Sequence, residues 1–117
     1  MKKKNLPPLK CDNTTFRNIR DALETLSGNW KLPILLTLST GPKRFREIAK
    51  QIEGISDKML SKELKSLETN LLVRRKVLDT YPPIAIYEIT EYVESLQNVL
   101  TSLHDWGISH RKKITSK

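Results

Sequence analysis

Lys58, Lys62 and Lys65 are spaced by four and three, so on a helix their ammonium groups share one side with Ser61. Cations and a hydroxyl arranged in this way suit phosphate contact and hydrogen bonding to base edges rather than bond making or breaking. Ser56, just upstream, is a good helix N-cap, and the N–H groups of that helix start add to a site for an anion. As the bland alternative, the same lysines are an ordinary solvated face. Elsewhere the chain offers little chemistry. Its single cysteine, Cys11, excludes an internal disulfide and a cysteine-based zinc site. His104 and His110 are six residues apart, which is not the four-residue spacing of a metal pair on a helix. Gly28, Gly41, Gly54 and Gly107 stand singly, and neither a glycine-rich phosphate loop, a Ser/His/Asp set nor an HExxH motif occurs. The expectation is a protein with no catalytic residue, metal, cofactor or small-molecule ligand, and thus not an enzyme.

The charge balance names the class of partner. With 117 residues the chain is one domain in size, and 21 Lys and Arg against 13 Asp and Glu give a net charge of +8. Such a surplus favours polyanions, either nucleic acid or an anionic membrane. Residues 43–76 hold ten bases against five acids, whereas 77–110 hold five acids and no Lys or Arg. Residues 1–10 and 111–117 add four bases each, and basic tails of this kind are common solubility features. The longest apolar stretch, 32–36, is interrupted by Pro33 and is too short to span a bilayer. Met1-Lys2-Lys3-Lys4 is followed by Asn5-Leu6-Pro7-Pro8 instead of the apolar segment of a signal peptide. These features point to a cytoplasmic protein that does not span a membrane, with the choice between nucleic acid and an anionic surface left to the elements that carry the bases.

The elements that must position the lysine face follow from hydrophobic spacing. Residues 1–12 read as a basic arm, 13–109 as the domain, and 110–117 as a basic tail. Phe16, Ile19, Leu23 and Leu26 form the stripe of a first helix that starts at Thr14 or Thr15. Asn29 is the expected N-cap of a second helix reaching about Thr40, with Pro33 tolerated near its first turn and Gly41-Pro42 stopping it. Phe45, Ile48, Ala49 and Ile52 mark a short third helix, closed at Gly54. A fourth, 57–69, has Met59, Leu60, Leu64 and Leu67 opposite the lysines. Segments 73–79 and 84–89 flank Tyr81-Pro82-Pro83 and read as a β-hairpin. Thr90 is the expected cap of a last helix with the seam Val93, Leu96, Val99, Leu100, Leu103 and Trp106. Trp30 and Trp106 lie on apolar stripes and read as core or interface rather than as stacking platforms.

Two short helices joined by a tight turn and followed by a basic hairpin are the order of a winged helix-turn-helix, a mainly α fold with one small hairpin. The expected DNA-binding residues are Lys43, Arg44, Ser56, Lys58, Ser61, Lys62, Lys65, Arg74, Arg75 and Lys76. The seam of the last helix exceeds what so small a core needs. A homodimer formed by the N- and C-terminal helices is therefore expected, with Phe16, Ile19, Leu96, Val99, Leu100, Leu103 and Trp106 at its interface. Two recognition helices would then enter successive major grooves of a pseudo-palindromic operator. A winged-helix module that binds a protein partner is one rival reading, and a regulator whose DNA binding switches through redox or electrophile chemistry at Cys11 is another.

Three runs carry a family resemblance: Gly28-Asn29-Trp30-Lys31-Leu32, Gly41-Pro42-Lys43-Arg44-Phe45-Arg46-Glu47-Ile48 and Gly54-Ile55-Ser56-Asp57-Lys58-Met59-Leu60. With Leu64-Lys65-Ser66-Leu67-Glu68, Leu72-Val73-Arg74-Arg75, Pro82-Pro83, Tyr87-Glu88-Ile89-Thr90-Glu91 and Trp106-Gly107, the chain resembles the HxlR-type transcriptional regulators over roughly 11–107. These share the architecture of the MarR group. The resemblance implies a dimer built from the first and last helices, a recognition helix within 54–69, and an N-terminal cysteine, here Cys11, that senses oxidants or aldehydes in some members. Three departures stand out. Asp12 replaces the usual proline after the cysteine, and a neighbouring carboxylate works against a thiolate. Leu71 replaces the usual glycine after the recognition helix, so Asn70 is expected to take the left-handed conformation. Ile84 replaces the base after the two prolines, and Ile86 replaces an acid, so the wing must hold the backbone through Arg74, Arg75 and Lys76 or hold it more weakly. Arg75 stands at the family's arginine position, as a phosphate contact or as half of a structural ion pair.

Overall fold

The computed structural model describes residues 9–116, so the part of the basic arm at 1–8 and Lys117 lie outside the described residues. The elements run α1 Asn13–Thr25, α2 Lys31–Leu38, α3 Phe45–Gln51, α4 Asp57–Thr69, β1 Val73–Leu78, β2 Ile84–Ile89, a 3-10 helix Glu91–Leu96 and α5 Gln97–Thr115. None of the three central helices is long enough to be stable alone in water, so packing must hold them. Ile34, Leu35 and Leu38 of α2, Ile48 of α3 and Leu60, Leu64 and Leu67 of α4 are buried together with Ile52, Leu72 and Val73. Trp30 packs against this cluster as a half-buried flank, in line with the core reading.

Local chemistry sets the helix ends. Asp12 caps α1, its carboxylate accepting from the Thr15 N–H at 2.8 Å. The helix therefore begins at Asn13, one or two residues before the start expected from the apolar stripe. Helix α2 begins at Lys31, with Trp30 rather than Asn29 at the cap, because Gly28 turns the chain at φ +94° just before it. It ends at Leu38, where the Ser39 and Thr40 hydroxyls bond back to the Leu36 and Thr37 carbonyls at 2.6 and 2.9 Å. Pro33 stands third in α2, where its missing N–H has no intrahelical acceptor to lose. Ser56 caps α4 as expected, its hydroxyl accepting from the Met59 N–H at 3.1 Å.

The end of α4 differs from expectation. Asn70 keeps φ −90° and Leu71 itself takes φ +64°. The Leu71 and Leu72 N–H groups donate to the carbonyls of Glu68 and Leu67 at 3.0 and 2.9 Å, the paired closure of a Schellman motif. Buried Leu72 completes it by packing in the same cluster as Leu67. Meanwhile the Asn70 side chain donates to the Ser66 carbonyl, which suits its right-handed backbone.

Strands β1 and β2 pair antiparallel, from Val73 opposite Ile89 to Leu78 opposite Ile84. Lys43 extends the ladder on the far side of β2 through reciprocal bonds with Tyr87 at 3.0 and 2.7 Å. Thr90 caps the 3-10 helix, not α5 directly. Helix α5 then runs to Thr115, so Arg111, Lys112 and Lys113 are helical where a tail was expected. Neither α1 nor α5 buries a single residue. The radius of gyration is 17.5 Å, against about 13 Å for a compact chain of this length.

A leucine in the left-handed conformation costs about 1–2 kcal/mol, and glycine there forfeits about 0.5–1 kcal/mol of chain entropy. Leu71→Gly is therefore expected to raise the thermal unfolding midpoint, by up to about 1 kcal/mol of stability. Leu71→Val should lower it. Melts followed by circular dichroism check both; a lower midpoint for the glycine variant would contradict the strain.

Candidate nucleic-acid interface

Helix α4 turns Leu60, Leu64 and Leu67 inward, and this leaves Lys58, Ser61, Lys62 and Lys65 exposed on the other side, with Ser56 exposed at its N-terminus. The four expected contact residues on this helix thus form one surface. Two ion pairs hold the helix. Glu63, at the edge between its apolar and basic sides, accepts from the Lys31 ammonium of α2 at 2.7 Å, with each side chain only 12% exposed. At the N-terminus, Arg46 of α3 donates through both guanidinium nitrogens to Asp57, at 3.0 and 3.3 Å. Arg46 also lies 5.7 Å from the centre of the Phe45 ring. Lys31, Glu63 and Arg46 were not singled out from the sequence. Residues 32 apart in the chain carry no mutual spacing signal, and Arg46 was only one of ten bases in its block.

Arg44 and Lys43 precede α3. The Arg44 N–H donates to the Glu47 carboxylate at 2.7 Å, which starts the helix and leaves the Arg44 side chain exposed. Lys43 is half-buried, its backbone committed to the sheet.

The three wing bases have different surroundings. Arg74 Nε donates to Glu88, directly opposite in the register, at 2.9 Å, and a terminal nitrogen lies 3.6 Å from Glu91. Lys76 lies 3.6 Å from the same Glu88 carboxylate. Arg75 makes no ion pair with any described residue. Hydrogen bonding to Glu88 raises the Arg74 pKa, and the same bond holds the Glu88 carboxyl below the usual glutamate range. Glu91 is lowered first by its own backbone N–H and then by Arg74.

Cys11 is exposed immediately before the α1 cap. The Asp12 carboxylate beside it is engaged with Thr15, whose backbone N–H lowers the Asp12 pKa. Of the expected interface residues, Phe16, Ile19, Val99, Leu103 and Trp106 are exposed and Leu96 and Leu100 half-buried. Trp106 stacks on His110 with ring centres 4.6 Å apart. Among the described residues no cluster of His, Cys, Asp and Glu is placed to hold a metal, and no helix is long and apolar enough to cross a membrane.

The pattern of the HxlR-like helix-turn-helix family matches residues 25–115. The uncharacterized HTH-type transcriptional regulator YtcD of Bacillus subtilis (strain 168) is 35% identical over 97 residues, 83% of this chain and 77% of its own length. The HTH-type transcriptional regulator YodB of the same organism is 40% identical over 95 residues, 81% of this chain and 85% of its own. The solved reduced form of YodB has a TM-score of 0.72 at 40% identity, covering 76% of this chain and 87% of that one. YodB has also been solved diamide-treated and quinone-bound. A transcriptional regulator of the MarR family from Enterococcus faecalis V583 gives a TM-score of 0.77 at 31% identity, covering 94% and 98% of the two chains.

The wing ion pairs carry a sign in pH. A carboxyl whose folded pKa lies below its unfolded value stabilises the fold above the ordinary range and loses that contribution as pH falls through the folded value. Glu88 is thus expected to titrate by NMR at lower pH than a free glutamate, and Arg74→Gln should move its titration upward. An unmoved midpoint would contradict the pairing.

Proposed function

The chain belongs to the HxlR-like helix-turn-helix family of transcriptional regulators, and on that premise we propose a sequence-specific, homodimeric binder of double-stranded DNA. The observation that carries this reading is the exposed set Lys58, Ser61, Lys62 and Lys65 on a helix anchored by its opposite side, with the hairpin wing following directly. Such a helix fits the major groove, where Ser61 and the lysines reach base edges. Ser56 and the first N–H groups of α4 receive a phosphate. Lys43, Arg44 and Arg75 add backbone contacts, while Arg74 and Lys76 act mainly by holding the wing in place. Most of the affinity comes from counterion release. The reading assigns no catalytic role and places the protein with the genome, in the cytoplasm.

The dimer reading rests on α1 and α5. Both carry apolar side chains that no other described residue of the chain covers, and a second copy related by a two-fold axis covers them reciprocally. The two α4 helices then face half-sites about one DNA turn apart.

A second reading adds a switch. Cys11 is exposed, and YodB, for which reduced and diamide-treated forms exist, is 40% identical. With one cysteine per chain, two-electron oxidation by diamide joins two chains through a Cys11–Cys11 disulfide as the diamide is reduced to its hydrazine.

Pull-down of fragmented genomic DNA at about 150 mM salt, where nonspecific phosphate binding is weak, is expected to enrich a few sites sharing an inverted repeat. A flat profile would favour the protein-interaction rival. On a recovered site Lys62→Ala should weaken binding about tenfold and reduce the slope of log affinity against log salt by about one; unchanged affinity removes Lys62 from the interface. Leu103→Glu should turn a micromolar dimer into a monomer in sedimentation, and a wild-type monomer at that concentration refutes the dimer. Under diamide, nonreducing electrophoresis should show a dimer-sized band that Cys11→Ser abolishes.

A further inference from the structure

Of the three acids on α4, Glu63 and Glu68 are half-buried and Asp57 alone is exposed. Asp57 stands between Ser56 and Lys58, two of the residues proposed to meet DNA, so its carboxylate lies beside the surface that a polyanion would approach. A bare carboxylate there opposes the lysines that follow it. Arg46 of α3 answers it, donating from Nη1 and Nη2 to its two oxygens at 3.3 and 3.0 Å. The guanidinium is also steadied from its own helix, lying 5.7 Å from the centre of the Phe45 ring, and Phe45 packs against the core. The two paired side chains remain 66% and 59% exposed. Pairs as exposed as this add little to folding stability, so stability does not account for an arginine held on two sides at this place. What the pair does change is charge: it turns the one exposed acid of α4 into a neutral patch.

Resting on the operator-binding reading, we propose that Arg46 shields Asp57. It makes no DNA contact of its own and acts by cancelling the carboxylate, so that Lys58, Ser61 and Lys62 meet the duplex without a repelling charge beside them. The signs follow from the charges. Loss of Arg46 alone leaves an uncompensated negative charge at the start of α4, loss of the Asp57 charge alone leaves an uncompensated positive one, and loss of both restores the neutral patch.

Arg46→Gln, Asp57→Asn and the double variant test this in the full-length protein. Binding is read by fluorescence anisotropy on a labelled duplex carrying a recovered site, or on an arbitrary duplex at about 50 mM salt, where charge alone gives binding. Arg46→Gln is expected to weaken binding about fivefold, and Asp57→Asn to leave it at least as tight as the wild type. The double variant should return to within about twofold of the wild type, with an unchanged slope of log affinity against log salt. Arg111→Gln, which removes the same charge from α5, should leave affinity within about twofold. A double variant as weak as Arg46→Gln would overturn the shield, a slope reduced by about one marking Arg46 as a phosphate contact and an unchanged slope marking it as a structural brace. Equal weakening by Arg111→Gln, or no effect of Arg46→Gln, would overturn it as well. Lys62→Ala in the same assay keeps the two readings apart: if it weakens binding and Arg46→Gln does not, the shield fails alone, and if neither does, the operator-binding reading fails with it.

Discussion

Helix α4 must bury one side in order to exist and expose the other in order to act. Thirteen residues make a marginal helix in water. Complete burial of a leucine side chain is worth about 1.5–3 kcal/mol, and Leu60, Leu64 and Leu67 together supply the support that propensity does not. Those three residues need a floor, which α2 and α3 provide through Ile34, Leu38 and Ile48. Apolar packing fixes the distance of a helix from its floor better than its rotation. The Lys31–Glu63 contact supplies the missing constraint, because a pair only 12% exposed is strongly tied to its geometry: removing either partner would strand a charge away from water. The angle at which Lys58, Ser61, Lys62 and Lys65 face outward follows from that pair and from the Arg46–Asp57 contact at the helix start.

The same logic governs the wing. A two-stranded ribbon is marginal by itself, and here it is joined to the domain along both edges of its base. Lys43 bonds β2 through Tyr87, and Arg74 draws Glu88 of β2 and Glu91 of the 3-10 helix to β1. Charge that stabilises the wing is less available to a phosphate, since a guanidinium already facing carboxylates must exchange one anion for another. Glu88 is the carboxylate that holds the wing together, and it engages both Arg74 and Lys76.

What was legible in the chain was what depends on neighbours within a turn or two. Ser56 as cap, the extent 57–69, the opposition of Leu60, Leu64 and Leu67 to the lysines and the two strand segments all follow from local spacing, and the family motifs were in order. Misplacements occurred where a distant or competing interaction decided. Thr14 and Thr15 looked like the start of α1, but Asp12 reaches the Thr15 N–H from upstream. Asn70 has the better intrinsic tolerance for the left-handed region, yet its side chain serves the Ser66 carbonyl and the reversal falls on Leu71, because Leu72 must land in the core. The pairing of Arg74 rather than Arg75 depends on strand register, and Lys31–Glu63 on tertiary packing, neither of which a linear pattern records.

For the proposed operator binder, the position of α5 relative to α4 is the step that links one exposed α4 face to a second. The link is short. The Thr90 hydroxyl donates to the Leu71 carbonyl at 2.6 Å and its N–H to that of Leu72 at 3.1 Å, so the residue that starts the 3-10 helix is bonded to the residues that end α4. Val93 and Leu96 of the 3-10 helix then pack against the core before α5 leaves it. Six residues of tighter winding therefore carry α5 away from the core from an origin fixed against the recognition helix. If α5 is the seat of the two-fold contact, the separation of two recognition helices is set by these bonds and by the α5 crossing. On the proposed dimer, a change at the Leu71 corner would alter that separation without touching the α4 residues proposed to face DNA.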